Sequence, residues 1–367
     1  MLPSLISIVP LAIALSQPVS AWSAIGHEIT ATIAQAHLTP QALSAIAQIL
    51  PDYSDGHLAP IAAWADSIRW AHRETSGLHY VNAIGDDPGG PDGCSFGEHG
   101  WVDKDRNLLA GVGNYTWRVK EGEGDIPLRF LVHFLGDLHQ PLHLAGKQRG
   151  GNQQIVKFEG RRSNLHSVWD GLLIQKSIRE LGNYTTPLPS KRIEKALRGK
   201  IYDPYIRFII TEGIRGIWRN ESLTWAECTQ YASSVPYDVS TSFSEKLIRN
   251  LSLFMFTPSK VASFFTQLSV SDPGIGAYPD KYERDNSLPV CPWEWAKESH
   301  PINCKYVWPM NLQTLEELNT PEYYGRLKAD WVVEKQLARG GLRLAAVLNT
   351  LFDSEARATG SVYPLED

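Results

Sequence analysis

The sequence predicts a mainly α-helical protein built as one domain, on three observations. Apolar residues recur at helical spacing in IGHEITATIAQAHL (25–38), IPLRFLVHFLGDL (126–138) and GLRLAAVLNTLF (341–352). One short segment, QQIVKF (153–158), alternates as a strand does, and the Gly150–Gly151–Asn152 turn before it makes it half of a hairpin. No repeat or low-complexity linker divides the chain, whose 367 residues suffice for one large core.

The elements follow in order. Residues 1–21, MLPSLISIVPLAIALSQPVSA, form an uncharged, mostly apolar run ending in the small residues Val19 and Ala21, the pattern of a signal peptide, although no Lys or Arg leads it. The run is short and broken by Pro10 and Pro18, which argues against a spanning helix, and no later segment looks like one. Its removal leaves 346 residues (367 − 21) and frees the α-amine of Trp22, five residues before His27. Helices are predicted across 26–50, with Thr39 capping one that begins at Pro40, and across 58–69. Residues 86–100, rich in Gly, Asp and Pro, read as loop. The buried helix at 126–138 precedes Pro141, which ends it or starts a new turn. Helical patterns return at 164–181 and, with an interruption, at 189–220. Residues 272–309 read as an irregular loop elaboration, and 324–352 as a long closing helix.

The net charge of −5 argues against binding driven by a strongly basic surface. Nucleic acid stays open as a substrate, because bound metal adds positive charge that a residue count misses. Four cysteines in an exported chain predict two disulfides, for which Cys291–Cys304 and Cys94–Cys228 are preferred among three pairings. Sequons at Asn114, Asn183, Asn220 and Asn250 are candidate glycosylation sites on loops or helix ends.

The residues suited to chemistry cluster. HFLGDLHQPLH (133–143) carries His133, Asp137, His139 and His143, and NLHSVWD (164–170) carries His166 and Asp170. His133/Asp137 and His166/Asp170 are each four residues apart, so a helix sets each pair on one face. Imidazole nitrogen and carboxylate oxygen together make a zinc ligand set. One such pair is more often a helix contact. Two among apolar neighbours need a common cause, since burying them without metal or matched hydrogen bonds is costly. His27, Asp66 and His79 are weaker candidates alone: Asp66 can pair with Arg69, His79 can be a core histidine, and His27 can pair with Glu28. His139 is read as structural support.

WSAIGHE (22–28), WAD (64–66), LHYVN (78–82), HFLGDLHQPLH, GGN (150–152), NLHSVWD and GLRLAAVLN (341–349) occur in that order. By this set the chain resembles the S1/P1-type zinc-dependent nuclease family, whose fold is shared with zinc phospholipase C, over most of residues 22–352. The resemblance implies a single compact helical domain of the phospholipase C/P1 nuclease type spanning 22–367, with a short β-hairpin and disulfides. It implies three Zn2+. Asp66, His79, His133 and Asp137 hold one; Trp22, through its α-amine and carbonyl, His27 and the bridging Asp137 hold its close neighbour; His143, His166 and Asp170 hold the last. Such a cluster makes water a better nucleophile and stabilises charge on a phosphodiester, and Asp66 orients that nucleophile as well as binding metal.

The same resemblance makes Tyr80 a base-stacking residue, where the residue alone would equally suit core packing, and Asn152 a base-edge contact, where it would otherwise be a turn residue; Arg69 is placed to contact phosphate, or equally to be a surface charge. Asn82 departs from it, because many members carry Asp there. Asn donates as well as accepts hydrogen bonds, so the pocket should read a different base edge or read bases less strictly. Cys228 also lies several residues from the family's usual cysteine. The expected protein is a secreted, extracellular endonuclease that cuts the P–O3′ bonds of single-stranded DNA and RNA. Its products carry 5′-phosphate, it also acts on 3′-nucleotides, and it works as a monomer without stable membrane association. The alternatives are a secreted zinc phospholipase C and, further off, a non-enzymatic glycan- or protein-binding domain.

Overall fold

The computed structural model describes residues 22–90, 93–228, 288–309 and 312–355. The first helix, α1 (Ala24–Ala36), is buried along most of its length. Ala31 and Ala34 face one apolar cluster, while Ile29 and Ile33 face a second. The first cluster gathers α2 (Pro40–Ile49), α3 (Trp64–Ile68), α4 (Leu108–Lys120) and α5 (Asp125–Asp137). The second gathers the hairpin β1 (Ile155–Phe158)–β2 (Arg161–Asn164), α6 (Leu165–Ser167), α7 (Leu173–Leu181), α8 (Lys191–Glu194) and α9 (Asp203–Phe208). Farther on, α10 (Pro292–Ser299) joins the first cluster through Trp295 and α11 (Arg326–Ala329) the second through Leu327. The closing helix α12 (Val332–Phe352) packs on α1 and crosses both clusters. That crossing is close: a Cβ on Gly341 would lie 2.5 Å from Ile33 Cγ2, so any side chain there drives the helices apart.

The caps and the hairpin follow the sequence. Thr39 Oγ1 accepts from Ala42 N–H at 3.1 Å, and Pro40 starts α2. β1 and β2 pair antiparallel from Ile155↔Asn164 to Phe158↔Arg161. Glu159 and Gly160 between them both have positive φ, at 53° and 73°, the tight turn that matches strand twist.

Several expectations are corrected. The helix expected at 58–69 is split into a single turn at Ala59–Ile61 and the short α3. The Ala62 carbonyl that would extend α3 backwards instead accepts from His133 Nδ1 at 2.8 Å. The closing helix breaks at Trp331, left-handed at φ 52°, whose ring stacks on Phe208 at 4.6 Å. Of the segment expected to be irregular, residues 292–299 form α10 and Asn303–Val307 a further helical turn; 272–287 lie outside the described residues.

The disulfides are Cys94–Cys304 and Cys228–Cys291, not the expected pairing. Cys291 caps α10 at its start and Cys304 follows its end. Eight helical residues span about 12 Å, beyond the roughly 7 Å that a disulfide tolerates between Cα atoms. Asn114 is not a surface sequon: it lies within α4 and is buried, whereas Asn183 and Asn220 are exposed. Asn250 lies outside the described residues.

Two histidines away from the chemistry link this fold to pH. Among the carbonyls, Ile33 accepts from His37 Nδ1 at 2.7 Å, and Ala196 accepts from His57 Nε2 at 2.9 Å. His57 Nδ1 must then be unprotonated to accept from Ala59 N–H. Burial pushes each pKa down to about 4. The unfolded chain takes up these protons below about pH 6.5 and the folded chain only near 4, so stability falls as pH drops through that window and is flat above it. Each group contributes on the order of 3 kcal/mol, the depression multiplied by about 1.36 kcal/mol per unit. Denaturant unfolding at pH 7 and pH 5 should show the loss, and His57→Asn should make the slope shallower; equal stabilities at the two pH values would refute it.

Candidate metal centre

Seven elements deliver the polar groups. His133 and Asp137 project from one face of α5, and His27 comes from α1. That approach needs Gly136, where a Cβ would lie 2.6 Å from His27 Nδ1. Asp66 comes from α3, His79 ends the turn Arg73–His79, and His143 sits in the turn Pro141–Leu144. His166 belongs to α6, and Asp170 to the wide turn Val168–Leu172 that follows it.

These side chains converge as two linked groups. Asp137 is the hub. Its Oδ2 lies 3.1 Å from His79 Nδ1 and 3.3 Å from His133 Nε2, and its Oδ1 lies 3.3 Å from His27 Nε2 and 3.7 Å from His143 Nδ1. Asp66 Oδ1 is 3.6 Å from both His79 Nδ1 and His133 Nε2. The second group joins His143 and His166, whose rings stack at 5.1 Å, with Asp170, whose Oδ2 is 3.2 Å from His166 Nε2. Donor atoms within each of the sets His27/Asp66/His133, His79/His133/Asp137 and His143/His166/Asp170 lie within 4.8 Å of one another. Trp22 is buried beside this site, and the next residue, Ser23, donates its N–H to Asp170 O at 2.8 Å.

Backbone carbonyls fix the imidazoles. Ala62 O accepts from His133 Nδ1, His79 O from His143 Nδ1 at 2.6 Å, and Gly150 O from His166 Nδ1 at 2.5 Å. A carbonyl can only accept, so each Nδ1 carries a proton; His143 and His166, which burial keeps neutral, present a lone pair at Nε2, the form a metal needs, whereas His133 sheds its second proton when a cation binds. The residues fit a cation. His27 Nε2, His143 Nε2, His166 Nε2 and Asp137 Oδ1 are buried with no hydrogen-bond partner, a costly state that a bound cation relieves.

The electrostatics agree. Burial pushes His27 and His143 down, His79 to about 4 and His166 to about 3. Burial also opposes charge on His133, but the Asp137 and Asp66 carboxylates outweigh it and hold it up at about 9. Burial raises Asp137, and His133 and His143 more than offset this, leaving it well below its ordinary range; Asp66 is lowered against its own burial by His133 and His79. Asp170 is pushed well above its ordinary range by burial, only partly offset by Gln140, which marks a carboxylate in want of a cation.

Gln140 is the residue that sequence reasoning passed over. It is fully buried, donates Nε2–H to Asp170 Oδ1 at 2.5 Å, and accepts from Leu142 N–H at 2.6 Å. It thereby aims the Asp170 carboxylate. A polar residue between two histidines of HFLGDLHQPLH was the available signal. Gln140→Leu should weaken metal retention at the His143/His166/Asp170 group by about ten- to a hundredfold, read by competition with a chromogenic chelator; unaltered retention would show the contact to be incidental.

His139 has the structural role expected of it, with Nδ1 on Leu135 O and Nε2 facing Arg343. The Asp86/Cys94/His300 cluster is no ligand set, because Cys94 is disulfide-bonded. Around the site, Arg69 reaches Asp66 at 3.4 Å, and Tyr80 is 43% exposed, open to stacking. Asn82 is half-buried against Gly146. Asn152 donates to Arg149 O and leaves its Oδ1 without a partner.

The family model S1/P1 Nuclease matches residues 22–353, a span that takes in every group of this centre. The chain belongs to the S1/P1 nuclease family. Endonuclease 4 of Arabidopsis thaliana is 26% identical over 353 residues, covering 93% of this chain and 92% of that protein. Nuclease P1 of Penicillium citrinum is 38% identical over 170 residues, 43% of this chain and 60% of that one. Nuclease S1 of Aspergillus oryzae is 34% identical over 181 residues, 46% and 60% respectively. This S1/P1 nuclease is therefore an enzyme of the phosphodiesterase class, mainly helical with one two-stranded sheet among its described residues.

Proposed function

We propose that this S1/P1 nuclease is a secreted endonuclease that hydrolyses the P–O3′ bonds of single-stranded DNA and RNA, leaves 5′-phosphate, and also acts on 3′-nucleotides. It works as a monomer, after removal of residues 1–21 exposes Trp22 at the head of the domain 22–367. The observation that carries the reading is the convergence of unpartnered, buried imidazole nitrogens on Asp137 and Asp170. Three zinc ions fit these donors. Asp66, His79, His133 and Asp137 would hold one, Trp22 with His27 and Asp137 another, and His143, His166 and Asp170 the third. Bound there, zinc supplies acidified water and offsets phosphoryl charge.

The chain's own groups do the rest. The Asp66 carboxylate, close to His79 and His133, orients the attacking water and takes its proton. Arg69, beside Asp66, meets a nonbridging phosphate oxygen. The exposed Tyr80 ring stacks on an unpaired base, which favours single strands. Asn82 and the free Oδ1 of Asn152 read the base edge, with Asn82 able to donate as well as accept. Two disulfides support an exported protein, and among the described residues no helix is long and apolar enough to cross a membrane. Asn183 and Asn220 are the exposed sequons of such a protein.

The test is the zinc content of the processed protein together with its products on single-stranded DNA, RNA and phosphatidylcholine. About three zinc ions and 5′-phosphorylated oligonucleotides are expected. Phosphocholine release without nucleotide products would move the substrate to lipid.

A further inference from the structure

The hairpin that leads into His166 carries a charge arrangement the catalytic centre does not explain. Lys157 on β1 and Arg162 on β2 are direct cross-strand partners, so their side chains share one face, and both are exposed. Like charges placed directly opposite each other destabilise a strand pair. No carboxylate among the described residues pairs with either. The neighbouring acids are committed elsewhere: Glu317 accepts from the N–H groups of Glu159, Gly160 and Asn319, and Glu159 pairs with Lys176 and Arg179. In a chain of net charge −5, two unneutralised cations held face to face are a local exception.

The position is equally specific. The pair lies two residue pairs out from Ile155↔Asn164, about 7 Å along the strands. Asn164 at that inner end caps Ser167 N–H at 2.7 Å in the turn that bears His166. The tight turn at Glu159–Gly160 and the backbone bonds from β1 to residues 315–318 brace the hairpin on its other sides. The two cations thus stand on a rigid arm rooted in the metal centre.

We propose that Lys157 and Arg162 form a distal phosphate-binding step, which grips the backbone of a polynucleotide some phosphates away from the bond being cut. This rests on the single-strand substrate reading above. The arm gives the enzyme a preference for long strands over dinucleotides that the centre alone does not supply. The contact is to phosphate charge and carries no base preference.

The experiment compares the metal-loaded enzyme with K157Q/R162Q and the charge-keeping K157R/R162K. Binding of a long single-stranded phosphorothioate oligonucleotide is followed by fluorescence anisotropy across a salt series, and KM is measured for a long strand and for a dinucleotide. Removing two contacts should lower the slope of log binding constant against log salt by about 1.4, at roughly 0.7 per phosphate on a single strand. KM for the long strand should rise several-fold more than KM for the dinucleotide, and K157R/R162K should restore both. An unaltered salt slope overturns the proposal. So does an equal rise in both KM values, which would mean the substitutions disturb the root of the arm at Asn164. If the unsubstituted enzyme bound and cut no single strand, the substrate reading itself would fall; cleavage by that enzyme with an unaltered slope in the variant removes only the arm.

Discussion

Asp137→Asn is expected to lower nuclease activity by about a thousandfold or more, the rate equivalent of losing several kcal/mol of charge stabilisation. The substitution keeps the volume of a fully buried side chain and the geometry of α5. What it removes is the negative charge shared by His27, His79 and His133 at 3.1 to 3.3 Å, together with the second acceptor oxygen. An amide also turns N–H hydrogens toward imidazole lone pairs, which repels a cation where the carboxylate attracts one. Metal analysis should show loss of bound zinc, while circular dichroism keeps the helical signal. A variant with full metal content and near-normal turnover would show that Asp137 does not join the two halves of the centre.

Arg343→Leu is expected to cost the fold about 2–4 kcal/mol without touching the site. Arg343 is completely buried and fans three ways: to Trp225 O at 2.7 Å, to His139 Nε2 at 2.9 Å and to Glu298 Oε2 at 2.6 Å. Burial depresses its pKa to about 10, with Glu298 partly opposing, so it stays charged throughout the working range. Leucine fills much of the volume but strands the Trp225 carbonyl and the His139 nitrogen inside the protein. Glu298 is half in solvent, so its loss of a partner adds little. The denaturation midpoint should fall, with the activity of the folded fraction retained. A midpoint within experimental error of the parent would mean the hub is replaceable by packing alone.

The helices at α1, α5 and α12 were legible because each buries a broad apolar face, and burial dominates local propensity. The convergence of His27, Asp66, His79, His133 and Asp137 was legible only from the ordered motifs together, since no single spacing joins residues from four elements. What was hidden depends on backbone contacts across the chain. The break before α3 exists because the Ala62 carbonyl serves His133, a demand invisible at residues 58–69. The disulfide pairing was misjudged because an unrecognised helix, α10, separates Cys291 from Cys304. Asn114 satisfies a three-residue pattern that says nothing of which side of α4 meets solvent. Gln140 went unseen because its partner, Asp170, lies thirty residues away.

The two apolar clusters meet along α1, and the polar centre draws from both sides of that seam: Asp66, His133 and Asp137 from helices of one cluster, His166 from α6 and Asp170 from the wide turn of the other. A cation held between them acts as a clasp. Its binding free energy adds to the resistance of the whole molecule to unfolding, in proportion to the logarithm of free metal. A chelating buffer would then be a denaturant selective for this architecture, and shelf life would follow the trace-metal content of the solution as closely as its temperature.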